Sequence, residues 1–397
     1  MPDYDVAVVG ASIAGSAVAT LLGRQGYRVW LADRAQFPRP KICGEGLMPE
    51  GVHLLHQLGI SLPAETEGVF PFRGLRLEIC GRISLELLFS ELGSCIHGLV
   101  TDRTELDRLL VSHARSLSNV DFCERREVES ALFRPDFVTL SIRSGGRVTS
   151  RLLIGANGIR SNLHQQVNLA RYVKSRKRMA LRSYFPRVEK LTGLVEVFAT
   201  HGAEAYVAPV GQGARVTVLF QNDGESQTHK SGGGIHEWYA QLLRRFPGLA
   251  ERLPRSIPHP VEATAPVSLQ LPAVHAHRLI LIGDAAGASD PIAGQGMTQA
   301  LKDAFLASRL LPPLLREDRL GYADLAEYTR LRQVAFAPST EIADTLLFLA
   351  RRPRLARRAV RVLSRNYSLR RKILSAVAGS NGGALTPRDK FRLLLGI

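Results

Sequence analysis

Residues 4–33 read YDVAVVGASIAGSAVATLLGRQGYRVWLAD, and the order of apolar runs and glycines in that stretch dictates a strand, a tight turn, a helix and a second strand. Asp5-Val6-Ala7-Val8-Val9 is apolar and β-branched, as a strand buried on both faces of a sheet should be. Gly10 stops it. The turn Gly10-Ala-Ser-Ile-Ala-Gly15 opens a helix whose small residues Gly15, Ala17 and Ala19 permit close approach to the sheet, and whose unpaired N–H groups can receive a pyrophosphate. Gly26 ends the helix. The strand 27–32 then delivers Asp33 twenty-three residues after Gly10, where the dinucleotide fingerprint wants a carboxylate for ribose hydroxyls. The middle glycine of that fingerprint is Ser12 here, at the point of closest backbone approach to the phosphates, and its hydroxyl offers a phosphate contact of its own.

A chain of 397 residues can bury a large core and is long enough for two or three domains. Hydrophobic content of 45% against 22% charged residues marks a folded globular protein rather than a disordered one. The net charge of +16 points to an anionic partner. No stretch approaches about eighteen consecutive apolar residues, and the first strand begins at Tyr4, so a cytoplasmic location is expected. Cys43, Cys80, Cys95 and Cys123 form no C-x-x-C pair, and the histidines lack metal-ligand spacing, so no metal site is expected.

Downstream, a proline and glycine loop spans 37–49, followed by a helix over 50–58 and alternating strand patterns within 72–89. A helix starts near Thr101, the expected cap, and carries Leu106, Leu109, Leu110 and Ala114 on one face. Strands are expected over 120–124, 138–143 and 147–154, the last running into Gly155-Ala-Asn-Gly-Ile-Arg-Ser161. Further strands fall at 194–199, 205–208 and 216–220, then a linker at 222–234 and a helix at 235–246. Leu279-Ile-Leu-Ile282 ends in Gly283-Asp-Ala-Ala-Gly287, and a helix follows Gly296 to about residue 311.

Taken together, the first turn, the 155–161 segment and Gly283-Asp-Ala-Ala-Gly-Ala-Ser-Asp-Pro-Ile-Ala-Gly-Gln-Gly296 recur in the order found in single-component FAD-dependent monooxygenases. The chain resembles that aromatic-hydroxylase-like superfamily over residues 4–340. The loop Pro40-Lys-Ile-Cys-Gly-Glu-Gly46 also resembles its geranylgeranyl-reductase-like branch. The resemblance implies an α/β fold in which a Rossmann-like FAD-binding domain (1–70, 98–177 and 271–340) is interleaved with an antiparallel β-sheet substrate domain (71–97 and 178–270), with a basic helical segment at 341–397. It places Gly10, Ser12, Ala14 and Gly15 at the FAD pyrophosphate, Asp33 at the adenosine ribose with Arg34 also in the cofactor set, and Arg103 on the phosphate-ribityl side. Val128 joins the cofactor set, Asp284 takes the ribityl chain, and Gly294, Gly296 and Met297 pass beside the isoalloxazine. A helix N-terminus near Gln295 would face the flavin edge where reduction puts negative charge.

Two departures from the family pattern matter. Its usual Gly-Ala-Asp-Gly is Gly-Ala-Asn157-Gly here, so a neutral amide replaces a carboxylate in a motif tied to both FAD and nicotinamide, and the resemblance implies FAD more directly than it implies NADPH or NADH as reductant. Asp284-Ala-Ala-Gly287 lacks the histidine of many aromatic hydroxylases. Cys43 is expected at the flavin ring and is a weak catalytic candidate; a small buried apolar role is the bland alternative. Arg182, Tyr184 and Tyr206 fall on the expected substrate sheet.

The resemblance implies transfer of one oxygen atom from O₂ to an apolar or aromatic organic substrate. Alkene reduction is the alternative, weakened by the absence of a Tyr-x-Trp-x-Phe-Pro segment. A non-enzymatic FAD- or nucleic-acid-binding protein is the alternative from another class; with no stacking aromatics among its arginines and no nucleic-acid motif, nucleic acid is not an expected partner. From Arg351 to Lys372 the chain carries nine arginines and one lysine without an acid. Wound at about 100° per residue, Leu355, Ala359, Val362 and Leu363 fall opposite Arg354, Arg357, Arg358, Arg361 and Arg365. Two arrangements fit that segregation: an interfacial helix on an anionic membrane, or a terminal helix packed on the protein with a solvated basic face.

Overall fold

The computed structural model describes residues 1–62, 66, 68–81, 83–93, 96–169, 178–221, 234–265, 268–380 and 385–395. Its central sheet has the strand order His275–Ala276, Leu279–Leu281, Arg147–Gly155, Tyr4–Val9, Val29–Ala32, Val120–Cys123. The last five of these strands pair in parallel, with Val8 between Ile154 and Leu31. Val6, Ala7 and Val8 have no solvent exposure, as befits a parallel sheet buried on both faces. The antiparallel strands Val128–Phe133 and Val138–Ile142 extend it beside Arg147–Gly155.

A second sheet of seven strands runs Glu262–Thr264, Arg178–Phe185, Gly213–Gln221, Ala203–Val210, Val195–Thr200, Gly74–Ile79, Ile83–Leu88. The sequence leads one to expect antiparallel pairing throughout, but Val195–Thr200 and Gly74–Ile79 run parallel. The chain leaves this sheet and returns to it between them, so no hairpin fixes their direction. The linker expected at 222–234 lies, but for Gly234, outside the described residues.

Two helix boundaries differ from the sequence expectation. The helix Arg103–Arg115 is capped by Asp102, whose Oδ1 accepts from the Thr104 N–H at 2.6 Å, not by Thr101, which is the last residue of the strand Gly98–Thr101. The helix Gly296–Arg316 continues through Pro312 and Pro313. The N–H that Pro312 lacks leaves the Ser308 carbonyl open, and Gln25 Nε2 donates to it at 3.2 Å.

Of the C-terminal helices, Pro353–Arg365 and Tyr367–Ala378 pack on the end of the seven-stranded sheet; Tyr322–Ala350 contacts both of them as well as strand His275–Ala276, and Pro387–Leu395 packs on Pro353–Arg365. Ala356, Ala359, Val360, Val362 and Leu363 share one core with Leu75, Ile79, Leu85 and Leu87. This overturns the interfacial-helix reading of the apolar face, which is turned onto the sheet; Arg354, Arg358, Arg361 and Arg365 remain exposed on the other side. Among the described residues, no helix is long and apolar enough to cross a membrane.

Candidate active site

Strand Tyr4–Val9 and helix Ile13–Gly23 meet at Gly10, whose φ is 106° and where an added Cβ would sit 2.4 Å from the Ala156 carbonyl oxygen. A Cβ on Gly15 would lie 1.7 Å from the Gly10 oxygen, so only glycine lets the helix start this close to its turn. The first-turn N–H groups have no acceptor inside the helix.

Three cations converge on that end. Arg103 donates to the Ser12 hydroxyl at 2.7 Å and pairs with Asp107 at 2.9 Å. Lys41 Nζ stands 3.5 Å from the same hydroxyl. Arg39 reaches Asp33 and Asp107, both at 3.6 Å. Ser12 donates on to Asp107 at 3.1 Å, and Asp33 accepts the N–H groups of Ala11 and Ala35, both at 2.9 Å. Burial, and then the neighbouring Arg103, hold the Lys41 ammonium below the usual lysine value. Three cations and a helix N-terminus face two carboxylates, a donor set that fits a pyrophosphate.

Beyond Lys41 lie the turn Gly283–Ala286, which carries Asp284, and the turn Pro291–Ala293, which ends at Gly294 with φ 65°. The helix Gly296–Arg316 starts there, and a Cβ at Gly296 would meet nothing within 4 Å. Gln295 turns away and donates to the carbonyls of Ala376, at 3.3 Å, and Val377, fastening the end of helix Tyr367–Ala378 to this strip.

The loop before strand Gly46–Leu47 is tied to the seven-stranded sheet by one carboxylate. Glu45, buried and at φ 63°, pairs with Arg182 at 3.1 Å and Arg215 at 3.0 Å. Arg182 also meets Glu262 at 2.7 Å and donates to the Cys43 carbonyl. Burial pushes the Glu45 carboxyl up, and the two guanidiniums pull against that. The Cys43 thiol is half-buried beside Arg103 and accepts the Glu45 N–H at 3.4 Å.

Between loop, sheet and C-terminal helices is a cavity of about 410 Å³. Lys41, Cys43, Asp284, Gly294, Gly296 and Met297 line one side of it; Arg182, Glu204, Tyr206 and Leu219 line the sheet. Arg178, buried behind, pairs with Glu204 at 2.5 Å and with Asp290 at 3.0 Å. Burial raises the Glu204 carboxyl against the pull of Arg178, and keeps the Tyr206 hydroxyl protonated.

The profile of a family described as the FAD binding domain matches residues 3–337. The chain belongs to that family. Among curated relatives, the menaquinone reductase of Mycobacterium tuberculosis is 29% identical over 338 residues, covering 80% of this chain and 80% of the relative. The kynurenine 3-monooxygenase of Salinispora arenicola is 29% identical over 381 residues, covering 86% of this chain and 78% of the relative. Among solved structures, a flavoprotein/dehydrogenase from Cytophaga hutchinsonii superposes with a TM-score of 0.81 at 18% identity, over 95% of this chain and 92% of that one. The protein is therefore an FAD-dependent oxidoreductase of the aromatic-hydroxylase-like superfamily.

In this flavoprotein the residues singled out from sequence divide into three sets. Gly10, Ser12, Ala14, Gly15, Asp33 and Arg103 gather at the cationic end, and the added Cβ of Gly283 would touch Ala14 at 3.0 Å, joining the two glycine turns. Cys43, Asp284, Gly294, Gly296 and Met297 gather on the cavity. Arg34 and Asn157 are exposed, and Val128 packs half-buried at the edge of the main core. Of the expected sheet residues, Arg182 and Tyr206 reach the cavity, whereas Tyr184 is 38% exposed under Arg215. Sequence reasoning missed Arg39, Lys41, Glu45 and Asp107. Asp107 carried a signal, the i,i+4 spacing from Arg103; the other three lie in an irregular loop, where spacing says nothing about contact.

Proposed function

We propose that this flavoprotein is a monooxygenase that transfers one oxygen atom from O₂ to an electron-rich organic substrate, with NADPH or NADH supplying two electrons. The balance is substrate, O₂, NAD(P)H and a proton giving hydroxylated substrate, water and NAD(P)⁺. The observation that carries this reading is the cavity itself: it joins Asp284, Gly294 and Met297 to a largely hydrocarbon wall, and of the charged groups that line it Arg182 is paired with Glu45 and Glu204 with Arg178. Bound FAD would supply the redox chemistry. The chain's own residues would then bind and position: Gly10, Ser12, Ala14, Gly15 and Arg103 at the pyrophosphate side, Asp284 at the ribityl chain, and Gly294, Gly296 and Met297 along the ring. The apolar wall would exclude water from it.

Turnover under ¹⁸O₂ tests the reading. One labelled oxygen per product and one O₂ per NAD(P)H are expected with a phenolic substrate. Alkene reduction is the second reading, favoured by Cys43 in its loop beside Arg103 and by the similarity to menaquinone reductase. Saturation of a substrate double bond with no oxygen uptake would overturn the first reading in favour of the second.

The state of Lys41 yields a further expectation. An incoming pyrophosphate favours its charged form, so its pKa rises on FAD binding and binding takes up a proton. Affinity for FAD should therefore fall as pH rises from Lys41's lowered pKa toward the ordinary lysine range, by at most about tenfold per pH unit for one proton. Flavin-fluorescence titration of the apoprotein across pH measures this. Lys41→Met should weaken binding and flatten that slope; an unchanged slope would exclude Lys41.

A further inference from the structure

The sheet face that lines the cavity changes character along its width. Register places Arg182, Thr217, Tyr206, Val197, Leu77 and Leu85 in one row across six strands. Polar groups occupy the first three places and hydrocarbon the last three. The next row, Ala180, Leu219, Glu204, Ala199 and Ile79, keeps its one acid on strand Ala203–Val210, paired with Arg178. Glu78 lies between Leu77 and Ile79 but turns its carboxylate to the opposite face, toward Gly248.

The hydrocarbon half is roofed by helices Pro353–Arg365 and Tyr367–Ala378, which contribute Ala356, Ala359, Val360, Leu363, Ile373 and Val377 to the lining. Two of those six are alanines where larger side chains would close the space. From strand Ala203–Val210 to strand Ile83–Leu88 is three strand spacings, roughly 14 Å. Protein interiors close voids of this kind, because unfilled apolar space forfeits contacts and stability. A compartment kept open by alanines and running away from the FAD side is shaped for a chain.

We propose that this compartment is a hydrocarbon-tail site, and that the substrate is an amphiphile. Its polar ring lies against Arg182 and Tyr206 beside Gly294 and Met297, and its alkyl or prenyl chain crosses Val197, Leu77 and Ile79 beneath Ala359 and Leu363. The inference rests on the oxygen-transfer reading for what happens to the ring, but not for the tail.

Calorimetric titration of the FAD-loaded protein with 4-butyl-, 4-octyl- and 4-dodecylphenol tests it. Affinity should rise by up to about fourfold per added methylene until the compartment is full, then level off. Ala359→Phe should bring the levelling-off to a shorter chain, and Leu363→Ala should move it to a longer one; the two changes act in opposite directions, so general destabilisation cannot mimic both. Affinity independent of chain length in the unaltered protein would overturn the tail site, as would an identical levelling-off in all three proteins. If the chain-length gain persists but no labelled oxygen reaches product, the oxygen-transfer reading falls and the tail site stands. Labelled product from butylphenol without any chain-length gain would do the reverse.

Discussion

Arg103→Ala is expected to strip the protein of flavin and to destabilise what remains. Arg103 is 4% exposed and its partner Asp107 is fully buried, so the substitution leaves a buried carboxylate that keeps Ser12, the longer contact to Arg39 and the more distant charge of Lys41 but loses its closest cation. Removing one member of such a pair costs about 3–5 kcal/mol of stability. If Arg103 also meets the cofactor's phosphate side, its loss removes about 2 kcal/mol of binding, roughly thirtyfold in Kd. The two effects separate in the double variant with Asp107→Ala, which deletes the stranded charge. Thermal stability should partly return while FAD affinity stays weak. Affinity that returned together with stability would reduce Arg103 to a structural role.

That pair also shows how the cationic end is assembled. Gly10 and Gly15 set the helix against its turn, and the turn fixes Ser12. Ser12 is then the meeting point of Arg103, Asp107 and Lys41, which come from a helix and a loop far away in sequence. Serine in the place of the fingerprint's middle glycine does not simply await a phosphate: its hydroxyl orders the cations that would hold one. The positive charge at this end is local and largely buried, distinct from the exposed arginines of helix Pro353–Arg365.

Short apolar runs that stop at glycines made the parallel sheet legible, since Val6 to Val9 before Gly10 and Leu279 to Ile282 before Gly283 have the length and flanks of strands buried on both sides. Periodicity gave the amphipathic split of helix Pro353–Arg365. It did not give that helix's partner, because an apolar stripe states only that something covers it; the strands Gly74–Ile79 and Ile83–Leu88 that do so are about 270 residues earlier in the chain. Likewise Arg182 could be put on a sheet but not beside Glu45, whose contacts depend on a loop with a residue in the left-handed region. Asp284 and Gly294 came from motif resemblance rather than pattern, and Asp303, which accepts the N–H of Gly283 at the head of the Asp284 turn, came from neither.

Asp303 is the basis of the second large effect. It is fully buried on helix Gly296–Arg316, accepts the Gly283 N–H at 2.7 Å, and pairs with Arg332 of helix Tyr322–Ala350 at 2.9 Å. Arg332→Met keeps most of the apolar volume but removes the charge, and should cost about 3–5 kcal/mol at neutral pH. Burial raises the Asp303 pKa, and Arg332 opposes the rise. With Arg332 gone the opposition ends, so the folded-state value climbs further above that of the unfolded chain. The folded state then binds the proton more readily, and stability of the variant grows relative to the parent as pH falls through that raised value. Thermal melts at neutral and mildly acidic pH should therefore show the deficit shrinking with acidity. Adding Asp303→Asn to the variant should abolish that pH dependence, since the amide carries no charge to relieve. A deficit that stays constant with pH would mean that Arg332 acts through packing on Phe336 and its contact with the Gly287 carbonyl rather than through the ion pair.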